Sequence, residues 1–452
     1  MKNRIGNIIC KKLLILSLPL IISHIGIYIV QVADTYMVGI IGKTELAAVS
    51  FASNIYFLIY IIIYGLTYGI TPIVGELYKK NRRNIGTLLY SYLFFFGIIS
   101  FVAFILQLSI IRIFPYLGQP IHILKYAIPY YIYMSLSTIP LILFSVFKQI
   151  LDGMGKTWLP MVVIILSNIL NIIFDYILIN GKYGFPSLGC TGAGVATLLT
   201  RCIMLIIIIL VVFYTKELKE YMFGVSSPVH LSYSAIKYLI RFSIPIASQM
   251  SIEGYLFAIT GVFMGFWGEC VLAANQIVIT IANFPFMVIT SFGTSVSIFI
   301  SQSIGRKKYN RISLIIRLSY VLMAIWNVLT IIIFLVLGEK IGKVFCVDKD
   351  VLDWVSYFLL IVSSYQLSDG FQCLSTFILR SFKDVYHSFR ISFLSYITSF
   401  LTGCTIAFIW NSPTGIYLGY CIGLSLSAFL LTKNINYYYQ ILRSGKYIPQ
   451  IS

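Results

Sequence analysis

The chain has 452 residues, of which 59% are hydrophobic and 11% charged, and its mean hydropathy of +0.91 lies beyond what water-soluble globular domains of this length reach. A net charge of +18 would point to nucleic acid or acidic lipid in a soluble chain, so the placement of the 33 Lys and Arg decides what the charge means. The composition excludes a soluble enzyme and predicts an all-α polytopic membrane protein.

Crossing a bilayer core takes ~20 predominantly apolar residues per helix. Twelve such stretches follow in chain order: 13–38, 48–71, 88–111, 126–147, 160–180, 192–214, 239–264, 271–300, 314–337, 354–379, 387–411 and 414–438. The opening KNRIGNIICKKLLILSLPL imitates a signal peptide, but its apolar run continues to Met37 with no small-residue cleavage pattern, so it reads as an uncleaved first span. The N-terminus, the loops around 79–83, 147–157, 216–220, 305–311 and 379–384, and the C-terminal tail, together with the linker and span ends beside them (Lys237, Arg241, Arg317, Arg390 and Lys433), hold 25 of the basic residues. Alternate loops hold seven, and Arg201 alone falls deep inside a span, away from its ends. That asymmetry is the positive-inside signature. It predicts a multi-pass protein of a bacterial inner (plasma) membrane with both termini cytoplasmic, in contact with membrane lipid and with no nucleic-acid partner.

Sliding the chain on itself by 226 residues lays VGIIGKTELAA (38–48) over MGFWGECVLAA (264–274) with five identities, and sets Pro19 against Pro245. Six spans per unit give a parallel repeat, two six-helix bundles related by a pseudo-two-fold axis along the membrane normal. The expected division is an N-terminal lobe 1–214, a polar cytoplasmic linker 215–238 and a C-terminal lobe 239–452. Such a build suits alternating access, although a duplicated scaffold would show the same repeat.

Four carboxylates lie deep in apolar spans: Asp34, Asp175, Glu253 and Asp369. A charge at mid-bilayer costs ~2.5 kcal/mol or more, so such residues normally face a wet cavity or the bundle interior. None of the four has an acidic counterpart at the repeat offset, so the scaffold does not require them. Polar companions share their helix faces: Asn168 and Asn171 with Asp175, and Tyr365, Gln372 and Thr376 with Asp369. Gln249 stands one turn before Glu253. Carboxylate, amide and phenol oxygens together suit a proton or a hard monovalent cation. His24 and Arg201 are left without an assigned role. The remaining eleven acidic residues are placed in loops or at span ends. The eight Cys form no C-x-x-C, the four His form no metal signature, and GMGKT (153–157) lacks the earlier glycine of a phosphate-binding loop. No cofactor and no ATP chemistry is expected.

With these residues in view, the chain resembles the multidrug and toxic compound extrusion (MATE) family over essentially its whole length. The strings that carry the resemblance are residues 18–50, LPLIISHIGIYIVQVADTYMVGIIGKTELAAVS; ILDGMGKTWLPM with NIIFDYILINGKYGFPSLGCTGAGVAT (150–197); IPIASQMSIEGYLF through VLAANQI to ISQSIGRKKYNR (244–311); and DGFQCLSTFILRSFKD (369–384). A glutamate in span 7 and an aspartate in span 10 resemble the NorM-type branch. The resemblance implies an N-lobe cation site of Asp34, Asn171, Asp175 and Thr197, and a C-lobe cation site of Glu253, Tyr365 and Asp369, where Na+ would lie at Glu253 and Asp369. Asp34, Asn168, Gln249 and Gln372 are expected to line the substrate cavity. Two residues depart from the pattern: Ser381 stands where the family usually has glycine, and Asn275 where histidine is common.

The expected function is a secondary antiporter, acting as a monomer, that exports an amphipathic, cationic, drug-like small molecule in exchange for inward Na+ or H+. One rival is a lipid-linked oligosaccharide or polysaccharide flippase, which would place a basic cluster within the spans to grip phosphate. Another is an intramembrane enzyme, for which the chain shows neither a G-x-G-D nor a G-x-S-G string.

Overall fold

The computed structural model describes residues 2–80, 84–223 and 230–443, and every regular element among them is helical. In chain order the first half contains α1 (Lys2–Ile41), α2 (Lys43–Thr67), α3 (Ile70–Lys80), α4 (Ile85–Ile110), α5 (Ile121–Leu136), α6 (Thr138–Met154), α7 (Trp158–Asn180), α8 (Cys190–Tyr214) and the short α9 (Lys216–Phe223). The second half contains α10 (Tyr233–Met264), α11 (Glu269–Gly305), α12 (Tyr309–Phe345), α13 (Lys349–Ser381), α14 (Val385–Ile409) and α15 (Thr414–Arg443). α2 and α3 are one crossing interrupted at Tyr68 and Gly69, and α5 and α6 are another interrupted at Ser137. Among the described residues eleven crossings are long and apolar enough to span a membrane. The twelfth expected span is α13, which is 33 residues long but less apolar, with Asp353, Gln366, Asp369, Gln372, Arg380 and several serines along it. Residues 81–83 of the first basic loop, 224–229 of the expected linker and the tail after Arg443 lie outside the described residues.

The chain forms two compact units, Ile22–Ala247, and Met1–Ile21 together with Ser248–Ser452. The first helix of each half is therefore divided between units. The divisions after Ile21 and after Ala247 are separated by the same 226 residues as the sequence repeat, and each follows a helix proline, Pro19 or Pro245, by two positions. Proline removes an intrahelical hydrogen bond and bends the helix at that point. In one unit Ile9 and Leu13 of α1 are buried with Ile289, Phe292, Leu374 and Leu431. In the other, the start of α10 packs on α2, where a Cβ on Gly65 would come within 2.8 Å of the Ala247 Cα.

The span ends need correction. Lys148 and Arg380, which the sequence reading assigned to cytoplasmic loops, are inside α6 and α13 and only 4% and 6% exposed. Arg201 is thus not the only basic residue within a span. Glu76 and Asp152, placed at span ends, are likewise buried. The physical reason is that both helices run on past the apolar stretch. Small residues then let their polar ends pack: Gly153 of α6 lies against the Thr71 carbonyl and Val74 of α3, and the Ser381 hydroxyl of α13 donates to Ser297 Oγ at 3.0 Å.

α14 and α15 approach each other backbone to backbone. Gly415, Gly419 and Gly423 recur every fourth residue on α15, and a side chain at Gly419 would fall on the Ser399 carbonyl oxygen of α14. This is the small-residue packing that helices use within membranes, where van der Waals contact replaces the hydrophobic drive. Gly419→Val should lower the thermal unfolding midpoint of the detergent-purified protein, at a cost of ~1–3 kcal/mol or more from overpacking. An unchanged midpoint would mean that the two backbones do not approach here.

Candidate ion-binding sites

In the unit Ile22–Ala247, α1 contributes Asp34, α7 contributes Asn171 and Asp175, and α8 contributes Arg201. The 3.6-residue period puts Asn171 and Asp175 one above the other on the face of α7 turned toward α1. With its amide oriented to donate, Asn171 Nδ2 lies 3.0 Å from Asp34 Oδ1 and 3.3 Å from Asp175 Oδ2. The two carboxyl groups also lie against each other, within hydrogen-bond reach. Asp175 is fully buried, and its Oδ1 has no partner among the described residues. Asn168 stands a turn before Asn171, half-buried, where a Cβ on Gly26 of α1 would meet its Nδ2 at 2.8 Å.

Arg201 donates through Nη1 to Tyr56 Oη at 2.9 Å and to Ser137 Oγ at 2.6 Å, and lies within electrostatic range of Asp34. Its place in the first unit is thus resolved: it ties α8 to α2 and to the break between α5 and α6, and supplies a positive charge beside the acid pair. Thr197, one turn earlier on α8, donates to the Ala193 carbonyl at 2.9 Å, so its hydroxyl proton is used within its own helix. Of the four residues expected in this site, Asn171 is within hydrogen-bond distance of both Asp34 and Asp175, and Thr197 bonds none of the three.

In the other unit, α10 contributes Gln249 and Glu253 and α13 contributes Tyr365, Asp369, Gln372, Thr376 and Arg380. Glu253 accepts a hydrogen bond from Tyr396 of α14, which in turn accepts from Gln372 Nε2 at 2.8 Å. Glu253 lies within electrostatic range of both Asp369 and Arg380, and Asp369 within range of Tyr365. Gln249 does not hydrogen-bond Glu253. Its Nε2 donates to Ser392 Oγ at 2.7 Å and to Thr376 Oγ1 at 3.3 Å, and its Oε1 accepts from Arg380 Nη2 at 3.4 Å. Gln372 Oε1 is buried and has no partner among the described residues. Gly370 is a glycine because a side chain there would fall on Asn327 of α12.

Sequence reasoning missed Tyr396, Ser392 and Arg380 in this cluster, and Tyr56 and Ser137 in the first. Arg380 had a signal: the stripe Tyr365, Asp369, Gln372, Thr376 reaches it by one further turn. Tyr396 and Ser392 had none, since α14 carries no acidic residue to mark a face. Each of the two departures from the family pattern makes a hydrogen bond, although the buried Nδ2 of Asn275 has no partner among the described residues. Ser381 bonds Ser297 as above, and Asn275 Oδ1 accepts from Tyr417 at 2.8 Å.

Membrane-length helices in two units, each enclosing a carboxyl pair with an uncommitted acceptor oxygen, define a polytopic membrane transporter. The chain belongs to the MatE family, whose model matches residues 19–177 and 245–405. It is 26% identical over 432 residues to the Probable multidrug resistance protein NorM of Halalkalibacterium halodurans, with 93% of each chain covered. Against the Multidrug resistance protein NorM of Photobacterium profundum the identity is 24% over 448 residues, covering 94% of this chain and 95% of the relative. Its fold is similar to that of the eukaryotic MATE transporter AtDTX14, with a TM-score of 0.86 at 16% identity and 98% and 99% of the two chains covered.

Proposed function

We propose that this protein is a secondary antiporter that expels amphipathic organic cations from a bacterial cell, driven by inward movement of H+ or Na+. The observation that carries the reading is the pair of buried carboxyl clusters, each with a free acceptor, Asp175 Oδ1 in one and Gln372 Oε1 in the other. The Asp34–Asp175 pair, bridged by Asn171, suits a proton, because two adjoining carboxyl groups repel when both are ionised and can bond each other when they share one proton. Glu253 and Asp369, with Tyr365 and the Gln372 carbonyl, offer a hard-oxygen donor set that fits Na+ as well as H+. The remaining donors expected from the sequence, Thr197, Asn168 and Gln249, serve as lining and support.

One elementary charge moving through 100 mV releases ~2.3 kcal/mol, enough for a substrate gradient of roughly fifty-fold. A flippase gripping phosphate would need free basic groups within the spans. Here Lys148 is paired with Asp152, Arg201 with Tyr56 and Ser137, and Arg380 with Gln249, so those cations are committed to internal partners. The experiment is uptake of a fluorescent organic cation into inside-out vesicles under separately imposed H+ and Na+ gradients. Uptake driven by neither gradient would sink the antiport reading.

The lobes proposed are 1–214 and 239–452 joined by the linker 215–238, acting as a monomer in the inner membrane with cytoplasmic termini. Lys79, Lys307 and Lys383 are then cytoplasmic and Lys182 and Lys349 external. Single cysteines at these positions should react with an impermeant thiol reagent on intact cells only at 182 and 349. Labelling of Lys307→Cys from outside would reverse the topology.

A further inference from the structure

One face of α2 is used by neither carboxyl cluster beyond its first residue. Tyrosine recurs there at every fourth position, 56, 60 and 64, and again at the C-cap residue Tyr68, so the rings lie one above another. Ring centroids are 5.5 Å apart for Tyr56 and Tyr60, 5.1 Å for Tyr60 and Tyr64, and 5.4 Å for Tyr64 and Tyr68. The first two pairs are near-parallel at 14° and 23°, the last edge-on at 79°. Stacking covers the faces of the inner rings. A planar organic cation that needs an open π-face finds little to bind, whereas the hydroxyl groups remain presented along the strip.

The strip has a buried charged group at each end. At the first, Tyr56 Oη accepts from Arg201 Nη1, and Arg201 lies in the field of Asp34. At the second, Tyr64 hydrogen-bonds Tyr68, Tyr68 lies in the field of Lys148, and Tyr64 in that of Asp152. Lys148 Nζ donates to Asp152 Oδ2 at 2.9 Å, both side chains being 5% exposed or less. Asp152 Oδ1 is buried and has no partner among the described residues. Buried acceptors are ordinarily satisfied, and one left open asks for an explanation. At ~1.5 Å of rise per residue the backbones of Tyr56 and Tyr68 are ~18 Å apart along the axis; Tyr64 and Tyr68 are bonded directly, and a single water can bridge hydroxyls that are not.

We propose that this tyrosine strip is a proton path joining the Asp34–Asp175 pair to Asp152, a second proton-exchanging carboxyl held by Lys148 near the Met154 end of α6. The proposal rests on H+ being the ion exchanged at Asp34. Water carries the proton from the acid pair past Arg201, whose guanidinium cannot give one up; each phenol then takes a proton on one side and gives its own on the other, through water or, between Tyr64 and Tyr68, directly, so no ring is left charged. Asp152 Oδ1 receives the last proton and later returns it to water. Arg201 and Lys148, the cationic groups facing the strip, repel a metal cation along it, while exchange between neutral hydroxyls carries only the proton.

The test is proton movement, read with a pH-sensitive dye in proteoliposomes, while a fluorescent organic cation is transported. Tyr60→Phe with Tyr64→Phe keeps both rings and removes the hydroxyls. Proton flux should fall at least about tenfold, with the dissociation constant of the fluorescent cation and the thermal unfolding midpoint unchanged. Lys148→Met with Asp152→Leu removes the pair without leaving an unpaired charge, and should slow proton flux to the same degree. Should either double variant lose its thermal transition, Tyr60→Phe alone carries the test. Proton flux at the parent rate in a folded variant overturns the path while leaving proton antiport intact. A parent protein that moves substrate under a Na+ gradient but moves no protons overturns both.

Discussion

Replacing Glu253 with glutamine is expected to abolish ion-triggered release of substrate while leaving the fold and the resting hydrogen bonds in place. Glutamine keeps an oxygen that accepts from Tyr396, so the chain from Gln372 through Tyr396 to position 253 persists. What disappears is the charge that repels Asp369 and attracts Arg380. If substrate and ion compete for this negative charge, each weakens the other by the same factor. For coupling of ordinary size that factor is about 5- to 150-fold, and the variant should lose it. The measurement is the dissociation rate of a fluorescent cation from purified protein, with and without added Na+ or a drop in pH. A variant whose release still accelerates as in the parent would move the coupling to Asp34 and Asp175 and leave Glu253 a structural residue.

Asp34→Asn should stop transport, with at least about a tenfold fall in efflux rate, while the protein is still inserted and purified in normal amount. The substituted amide offers Asn171 and Asp175 hydrogen-bond partners in place of the shared proton, so the local packing has no reason to fail. The exchangeable proton between two carboxyls is lost. Asp175→Asn should produce the same defect, and the double variant no more than either alone, because the two acids act as one proton-holding unit. Efflux assays in cells lacking their own pumps, normalised to membrane-inserted protein, provide the readout. Normal efflux in Asp34→Asn would reduce the N-terminal acid pair to a structural contact.

The linear pattern of the chain determined the class and the long helices, because a bilayer imposes a simple rule: each crossing must be apolar for its full length and must satisfy its own backbone. The same rule exposed the deep acids. A carboxylate within twenty apolar residues is conspicuous with no knowledge of its neighbours, so Asp34, Asp175, Glu253 and Asp369 were legible, and helical spacing supplied Asn171, Gln372 and Tyr365. The 226-residue offset marked the duplication.

Other features needed the folded chain. Whether a charge near a span end is solvated or buried depends on what packs beside it. Lys148 and Arg380 are enclosed because α6 and α13 continue as helices beyond their apolar stretches, against small residues of neighbouring helices. Tyr396 and Ser392 join the C-terminal cluster only because α14 lies beside α10 and α13, a contact between residues far apart in sequence with no local signature. The division of α1 and α10 between units is of the same kind. Two prolines at matched positions permit each helix to bend, but only burial of Ile9 and Leu13 beside Ile289 and Leu431 decides where the first half of α1 belongs. In a bilayer an apolar residue suits lipid as well as a neighbouring helix, so the apolar runs state which segments cross the membrane, and the tertiary structure decides which of their faces are buried and against which partner.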